Sequence, residues 1–201
     1  MQPVFVGIAG GSASGKSTLA RAIVARLGER SLLVLHDRYY HSLPPEAVHH
    51  PLTYNFDHPE AFETSRMVAD LARLARGRSA RLPIYDYATH RRAEAEEEVH
   101  PRPVVIVEGI LVLADERVRA LLDHRVYVSA PDDVRLMRRI RRDLDSRGRE
   151  VHDVLHQYER TVRPMHRRYV EPSRAFADLV VDGTQPVEHS AGQVLERLRR
   201  S

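Results

Sequence analysis

The chain has 201 residues, 42% of them hydrophobic, with 31 Lys+Arg against 28 Asp+Glu and no cysteine. That length fits one domain over 1–201 with room for a small insertion. The lack of cysteine excludes disulfides and thiolate metal sites and fits a reducing cytoplasm, and no run of about 18 apolar residues exists to span a membrane. A net charge of +3 with both signs interspersed reads as a solvated surface rather than a nucleic-acid footprint.

Val4 to Ala9 is a short apolar run with the character of a buried parallel strand. It is too short for a signal peptide, so none is expected. It leads into Gly10-Gly11-Ser12-Ala13-Ser14-Gly15-Lys16-Ser17-Thr18, which fits G-x-x-x-x-G-K-[ST] at every fixed position. A helix with Leu19, Ile23, Val24 and Leu27 on its sheet-facing side follows. Strand, glycine loop and helix in that order form a phosphate cradle, because backbone N–H groups and the helix N-terminus both present positive potential to an anion. In that cradle Lys16 reaches the β- and γ-phosphates and Ser17 holds Mg²⁺. Lys16 is also the only lysine among the 31 basic residues. The loop needs a compact ammonium that a planar guanidinium does not imitate.

Leu32–Leu35 reads as a second buried strand, and Asp37 follows its C-terminal end, the edge at which open parallel sheets bind ligands. Asp37 is thus a candidate general base or Mg²⁺-water ligand, with a turn or helix-cap aspartate as the alternative. The segment 41–58 is irregular and rich in His and Pro, and its adjacent His49 and His50 lack helical metal spacing. Glu60–Arg76 reads as a helix with Phe62, Met67, Val68, Leu71 and Leu74 on one face, stopped by Gly77. Ala80–Val99 reads as an inserted β-hairpin with the acids Glu94 to Glu98 on its turn or second strand. Its Tyr85, Tyr87 and His90 either line a pocket for a flat ring or simply pack the hairpin.

Val104–Val107 is the most apolar strand and ends on Glu108, a strand-end carboxylate placed to hold Mg²⁺ directly or through water. A helix over Glu116–Leu122 and a strand over Arg125–Val128 come next. Pro131 then opens a helix at its first position, with Val134, Met137, Ile140 and Leu144 on the apolar face and Arg135, Arg138, Arg139, Arg141 and Arg142 on the polar one. With Arg147 and Arg149 around Gly148, these arginines read as a lid over a triphosphate, the alternatives being a solvated basic helix or an RNA-binding stripe. A helix from Val151 to Thr161 carries Gln157 and Tyr158 and is interrupted at Arg163–His166. A strand at Leu179–Val181 and a helix over Ala191–Arg199 close the chain. The alternation predicts an α/β fold of the P-loop NTPase type: an open five-stranded parallel sheet with helices on both faces, the inserted hairpin and an Arg-rich helical lid.

Several stretches occur together and in order: GIAGGSASGKST, Asp37 to Tyr40, NFDHPEAF, PIYDY with His90, VVIVEGIL, RRDLDSRGR, Gln157-Tyr158, and RPMHRRYVEPS with FAD at 176–178. In this combination the chain resembles the uridine kinases (uridine–cytidine kinases) over roughly residues 4–199. The resemblance implies phosphorylation of the 5′-hydroxyl of uridine and cytidine by ATP or GTP with Mg²⁺, in pyrimidine salvage. It implies Asp37 as the catalytic aspartate, with Lys16, Arg142 and Arg147 acting on the phosphates, and Ser17, Glu108 and Asp37 around the metal. Residues 10–18 would bind the nucleotide. Asp57 would accept the ribose hydroxyls, Tyr85 and His90 would contact the base in the hairpin region 80–100, and Tyr40, Phe56 and Tyr87 would wall the pocket. Arg139, Arg149 and Gln157, in the lid region 135–158, would reach the nucleoside. The resemblance further implies small-molecule substrates, no nucleic-acid or membrane partner, a cytoplasmic location and a homo-oligomer, commonly a tetramer.

The chain departs from that pattern at Asp182–Pro186, which is short and lacks an Asn, at Arg38, where a smaller residue is usual, and at Tyr87, where Phe is commoner. The rival readings are a phosphoribulokinase or pantothenate kinase on the same scaffold, and an Arg-rich nucleic-acid binder with a degenerate loop. A GTPase base motif of the N-K-x-D kind cannot exist with Lys16 as the sole lysine.

Overall fold

The computed structural model describes residues 2–47 and 53–200. The main sheet is five-stranded and parallel, in the order β2-β5-β1-β6-β7, formed by β1 (Val4–Gly10), β2 (Ser31–Leu35), β5 (Val104–Glu108), β6 (His124–Ser129) and β7 (Leu179–Asp182). Every residue of β5 is buried, as expected of a central strand covered on both faces. Alternation along β1 and β5 sorts their side chains into two cores. Phe5, Val105 and Val107 face one side, with Met67, Leu71 and Leu74 of α2 (Thr64–Ala75). Val6, Ile8 and Ile106 face the other, with Leu19 and Ile23 of α1 (Lys16–Leu27) and Val194 of the last helix, α7 (Val187–Arg199). Among the described residues no helix is long and apolar enough to cross a membrane.

The hairpin expected over 80–99 is present as a separate antiparallel pair, β3 (Ala80–Asp86) and β4 (Arg91–Val99). Its acidic run lies along β4. Three arginines fasten it to the body. Arg92 donates to the carbonyls of Tyr39 and Tyr40 (2.7 and 2.6 Å) and pairs with Glu63. Arg38 donates to Pro83 O (2.7 Å) and pairs with Glu97 (2.7 Å). Arg66 pairs with Glu96. The large Arg38 therefore has a structural use here.

Several boundaries differ from the sequence expectation. The helix read from Glu60 starts at Thr64. Pro59–Ala61 form a 3₁₀ turn whose N-terminus is capped by His58, and Phe62 leaves it to bridge Tyr40 in extended conformation. The helix read over Glu116–Leu122 is the four-residue α3 (Glu116–Arg119), capped by Asp115. The closing helix begins at Val187 rather than Ala191. The interruption expected at Arg163–His166 does not occur. α5 (Val151–Gln157) passes through a π-turn (Tyr158–Val162) into α6 (Arg163–Met165) and a second π-turn (His166–Val170). Pro164 has no N–H and crowds the carbonyl four residues back, and widened turns accommodate such a residue within continuous helix. His49 and His50 lie outside the described residues.

The largest correction concerns α4 (Asp132–Arg147). Pro131 is its cap rather than its first residue, and its inward face is polar. Arg135, Arg139 and Asp143, at i, i+4 and i+8, are 2%, 6% and 0% exposed, whereas Met137 and Leu144 are 50% and 38% exposed. The surface that this helix meets is the glycine loop rather than apolar sheet: Arg135 lies against Gly11, and Arg139 donates to Ser12 Oγ (2.9 Å). A polar counter-surface selects the polar stripe.

Arg92→Ala removes hydrogen bonds from a charged donor, each worth about 1.5–3 kcal/mol. Amide exchange of β3 and β4 is expected to accelerate strongly while that of β1 and β5 stays unchanged, as read by hydrogen-exchange mass spectrometry.

Candidate active site

A cleft of about 1260 Å³ opens along the C-terminal ends of β1, β2 and β5. At one end lies the glycine loop. Gly15, in a left-handed conformation (φ 103), ends the loop and starts α1 at Lys16, and Ala13 is also left-handed (φ 62). Ser12, Ala13, Gly15, Lys16, Ser17 and Thr18 line the cleft. Gly10, Gly11 and Ser14 do not. Gly10 stands against Val128 O, Gly11 against the Arg135 guanidinium, and Ser14 is fully buried. Together these three form the loop's inner side, where a side chain at either glycine would collide.

The parallel register pairs Ile8 with Glu108, which brings the end of β5 beside the start of α1. Glu108 is buried, accepts a hydrogen bond from Ser17 Oγ (3.1 Å) and pairs with Lys16 Nζ (3.6 Å). A hydroxyl and a carboxylate so close are the hard oxygen donors that suit Mg²⁺, an ion that commonly takes one or two carboxylates and completes its shell with water and phosphate oxygens. Asp37 lines the same cleft from the 3₁₀ turn His36–Tyr39 that follows β2.

The preceding residue, His36, is 1% exposed and stacks on Phe62 at 4.1 Å. Neither of its ring nitrogens has a hydrogen-bond partner among the described residues. Burial lowers its pKa to about 3, opposed by the Asp115 charge. Gly109 is required beside it, since a Cβ there would stand 2.3 Å from His36 Cβ. The strand–glycine pair Glu108-Gly109 thus leaves room for the residue that backs Asp37.

The other end of the cleft is aromatic. Tyr40 stacks on Phe62 (4.2 Å) and meets Phe56 and Tyr85, both at 5.5 Å. Phe56 meets His90 (5.0 Å), and Tyr85 meets Tyr87 (5.2 Å). His90 is held left-handed (φ 55) at the hairpin turn, where Asp86 accepts from Ala88 N (2.8 Å) and Thr89 Oγ1 (2.7 Å). The Tyr85 hydroxyl is buried and has no hydrogen-bond partner among the described residues, and burial pushes its pKa up to about 12. Asp57 lies between the two ends. Burial raises its pKa, opposed by the nearby charges of Arg139, Lys16 and Arg142.

The third wall is α4 with its continuation. Arg139 and Arg149 both donate to Gln157 Oε1 (2.8 and 2.9 Å), and all three line the cleft, as does Arg142. Arg147 ends α4, and its side chain lies outside the description. Sequence reasoning missed Gly183, which also lines the cleft. A Cβ there would stand 2.1 Å from Ser14 O, and its carbonyl accepts from Arg138 (2.8 Å). The short Asp182–Pro186 stretch packs directly on the glycine loop, so a glycine is needed at that point. Asp143, Arg92 and His36 were missed as well. Only the glycine in a loop next to a strand end carried any signal.

The model of the phosphoribulokinase / uridine kinase family matches residues 5–189. The chain belongs to that family. Among curated members of the family, the uridine kinase of Leuconostoc citreum (strain KM20) is 44% identical over 184 residues, covering 90% of this chain and 88% of its own. The uridine kinase of Chloroflexus aurantiacus (strain ATCC 29366 / DSM 635 / J-10-fl) is 44% identical over 182 residues, covering 90% and 87%. The solved structure of a "possible uridine kinase" from Bacillus stearothermophilus shares the fold, with a TM-score of 0.66 at 18% identity and 90% coverage of both chains. This family member is a phosphotransferase with a P-loop nucleotide site for its phosphoryl donor.

Because His36 ionises in the unfolded chain near 6.5 and in the folded chain only near 3, the unfolded state takes up its proton first as the pH falls. Stability from this group is complete above pH 6.5 and is lost progressively down to about pH 3, with a slope approaching about 1.4 kcal/mol per pH unit. Urea unfolding between pH 7 and 4 is expected to show at least this slope in the wild type, since burial also lowers the pKa of His166, to about 4. In His36→Phe it should be reduced by one proton's worth.

Proposed function

We propose that the protein transfers the γ-phosphoryl group of ATP or GTP to the 5′-hydroxyl of uridine and cytidine, yielding UMP and CMP. The observation that carries the reading is the pairing, within one cleft, of a phosphate cradle with an aromatic compartment whose buried Tyr85 hydroxyl has no hydrogen-bond partner among the described residues, with the half-buried carboxylate of Asp57 between them. The 44% identity to two uridine kinases supports the same substrate class.

In this reading the pyrimidine ring enters between Phe56, Tyr85 and Tyr87. His90 meets its variable edge, since an imidazole can present either an N–H to uracil O4 or a lone pair to the cytosine amine. Asp57 is acceptor-only when ionised, so it holds both hydroxyls of the 2′,3′-diol. Arg139, Arg149 and Gln157 lie against the sugar, and Tyr40 backs the pocket. Asp37 accepts the proton of the 5′-hydroxyl as its oxygen attacks the γ-phosphorus and the bond to the nucleoside diphosphate breaks. Lys16, Arg142 and Arg147 stabilise the charge spread over the transferring group. Mg²⁺ bound near Ser17, Glu108 and Asp37 would neutralise phosphate charge. The helical wall 135–158 acts as the lid and 80–100 as the nucleoside-binding insertion within a single kinase domain.

A coupled ATP-consumption assay tests the reading. Turnover of uridine and cytidine is expected, with little of 2′-deoxycytidine, because the unpaired Asp57 acceptor costs about 1–3 kcal/mol, and little of adenosine, which overfills the aromatic slot. Absence of turnover with both pyrimidine ribonucleosides would reject it. Asp37→Asn should leave calorimetric nucleoside affinity nearly unchanged while kcat falls about 10²–10⁴-fold. Surviving turnover would remove Asp37 from the role of base.

A further inference from the structure

Asp143 is completely buried on α4, does not itself line the cleft and has no part in the site read from sequence. Its carboxylate nevertheless touches three cleft-lining arginines. Arg142 approaches Oδ1 through Nε (2.9 Å) and Nη2 (2.8 Å). Arg139 Nε stands 3.6 Å and Arg149 Nη1 3.5 Å from Oδ2. The backbone takes part too: Asp143 O accepts from the N–H groups of Gly148 and Arg149 (the latter 3.1 Å). Gly148 is left-handed (φ 58), and this turn folds Arg149 back over the end of its own helix.

The network runs outward from the buried acid. Arg139 continues to Ser12 in the glycine loop (2.9 Å), and Arg139 and Arg149 share Gln157 on α5. One carboxylate among three guanidiniums leaves the cluster net positive, as a polyphosphate site requires. It also offsets the mutual repulsion that would otherwise splay the three side chains. A buried carboxylate is costly unless paired, so the acid and the arginines hold one another in place.

We propose that Asp143 is a positioning residue for phosphoryl transfer. It holds Arg139, Arg142 and Arg149 in their working geometry before the nucleotide arrives, so that little reorganisation remains for the transition state. The inference rests on the kinase reading above, and it assigns Asp143 no contact with substrate.

The test compares wild type with Asp143→Asn, which keeps the shape and removes the charge, and Asp143→Glu, which keeps the charge and shifts it. Uridine phosphorylation, ATP affinity by calorimetry, and the arginine Nε–Hε resonances by NMR are measured for each. For Asp143→Asn a fall in kcat of about a hundredfold is expected, the scale of losing one preorganised donor. The KM for uridine should stay within about threefold of wild type, because Arg139 and Arg149, which lie against the sugar, keep their hydrogen bonds to Ser12 and Gln157 while Arg142 is released. ATP should bind as tightly or more tightly, because the wall has gained net positive charge. Asp143→Glu should recover part of kcat. A merely structural role would instead lower ATP binding and kcat together through loss of folded protein. That pattern, or a kcat within about twofold of wild type, would overturn the proposal. If Asp143→Asn does not fold, the same split at smaller size is expected of Asp143→Glu, and a wild-type kcat there would overturn it. If wild type turns over neither uridine nor cytidine, the substrate reading fails and the NMR arm decides on its own. Slowly exchanging resonances of these arginines in wild type that broaden in Asp143→Asn support positioning, and unchanged resonances overturn it.

Discussion

Glu108 meeting Ser17 and Lys16 is the contact on which the site depends. It joins the end of β5 to the first turn of α1, two points 91 and 92 residues apart in sequence, through the parallel pairing of β1 with β5. A one-residue slip in that pairing would turn Glu108 to the other face and swap the apolar sets of the two cores. The valines and isoleucine of β5, buried on both faces, make such a slip expensive. Core packing is therefore what holds the carboxylate, the ammonium and the hydroxyl together, and the chemistry of the phosphate end follows from the hydrophobic register.

Around that fixed point the cleft is closed by two elements of different character. The hairpin joins the main core only at its root, through Ala80, Leu82 and Val99, and beyond that it is held by arginine–carbonyl and arginine–carboxylate bonds from Arg38, Arg66 and Arg92. Such attachments are directional and exposed at their edges, so this part opens more easily than the sheet. The opposite wall, α4, presents charge inward. Its buried stripe of Arg135, Arg139 and Asp143 replaces the usual apolar face and is stable only because each group finds a partner on the glycine loop, on the same helix or on α5. One wall supplies aromatic surface, the other positive charge, and the base and phosphate ends of a nucleoside–nucleotide pair differ in the same way.

His36 and Gly109 show how the scaffold and the site constrain each other. The imidazole is kept neutral by burial and stacks on Phe62, while Tyr40, which lines the cleft, stacks on the same ring. The turn that carries Asp37 is thus clamped from below by an aromatic stack, and a glycine after Glu108 is the condition for that clamp to fit.

The sequence by itself determined the elements whose physics is local. The glycine loop, the five strands with Glu108 and Asp37 at their ends, the hairpin and the helix stop at Gly77 all rest on short-range pattern: apolar runs, glycines at turns, a lysine at one spacing. The residues read from the family resemblance also fall in one cleft, apart from Gly10, Gly11 and Ser14 on its inner side and Arg147, whose side chain is not described. Only the tertiary structure decided which face of α4 turns inward, that the chain winds past Pro164 without a break, and that Gly183, His36, Arg92 and Asp143 belong to the site's framework. Each of these depends on what lies opposite. Hydropathy predicts burial against an apolar surface, and α4 meets a polar one. A buried acid reads in sequence like any surface acid, until three arginines are brought around it in space.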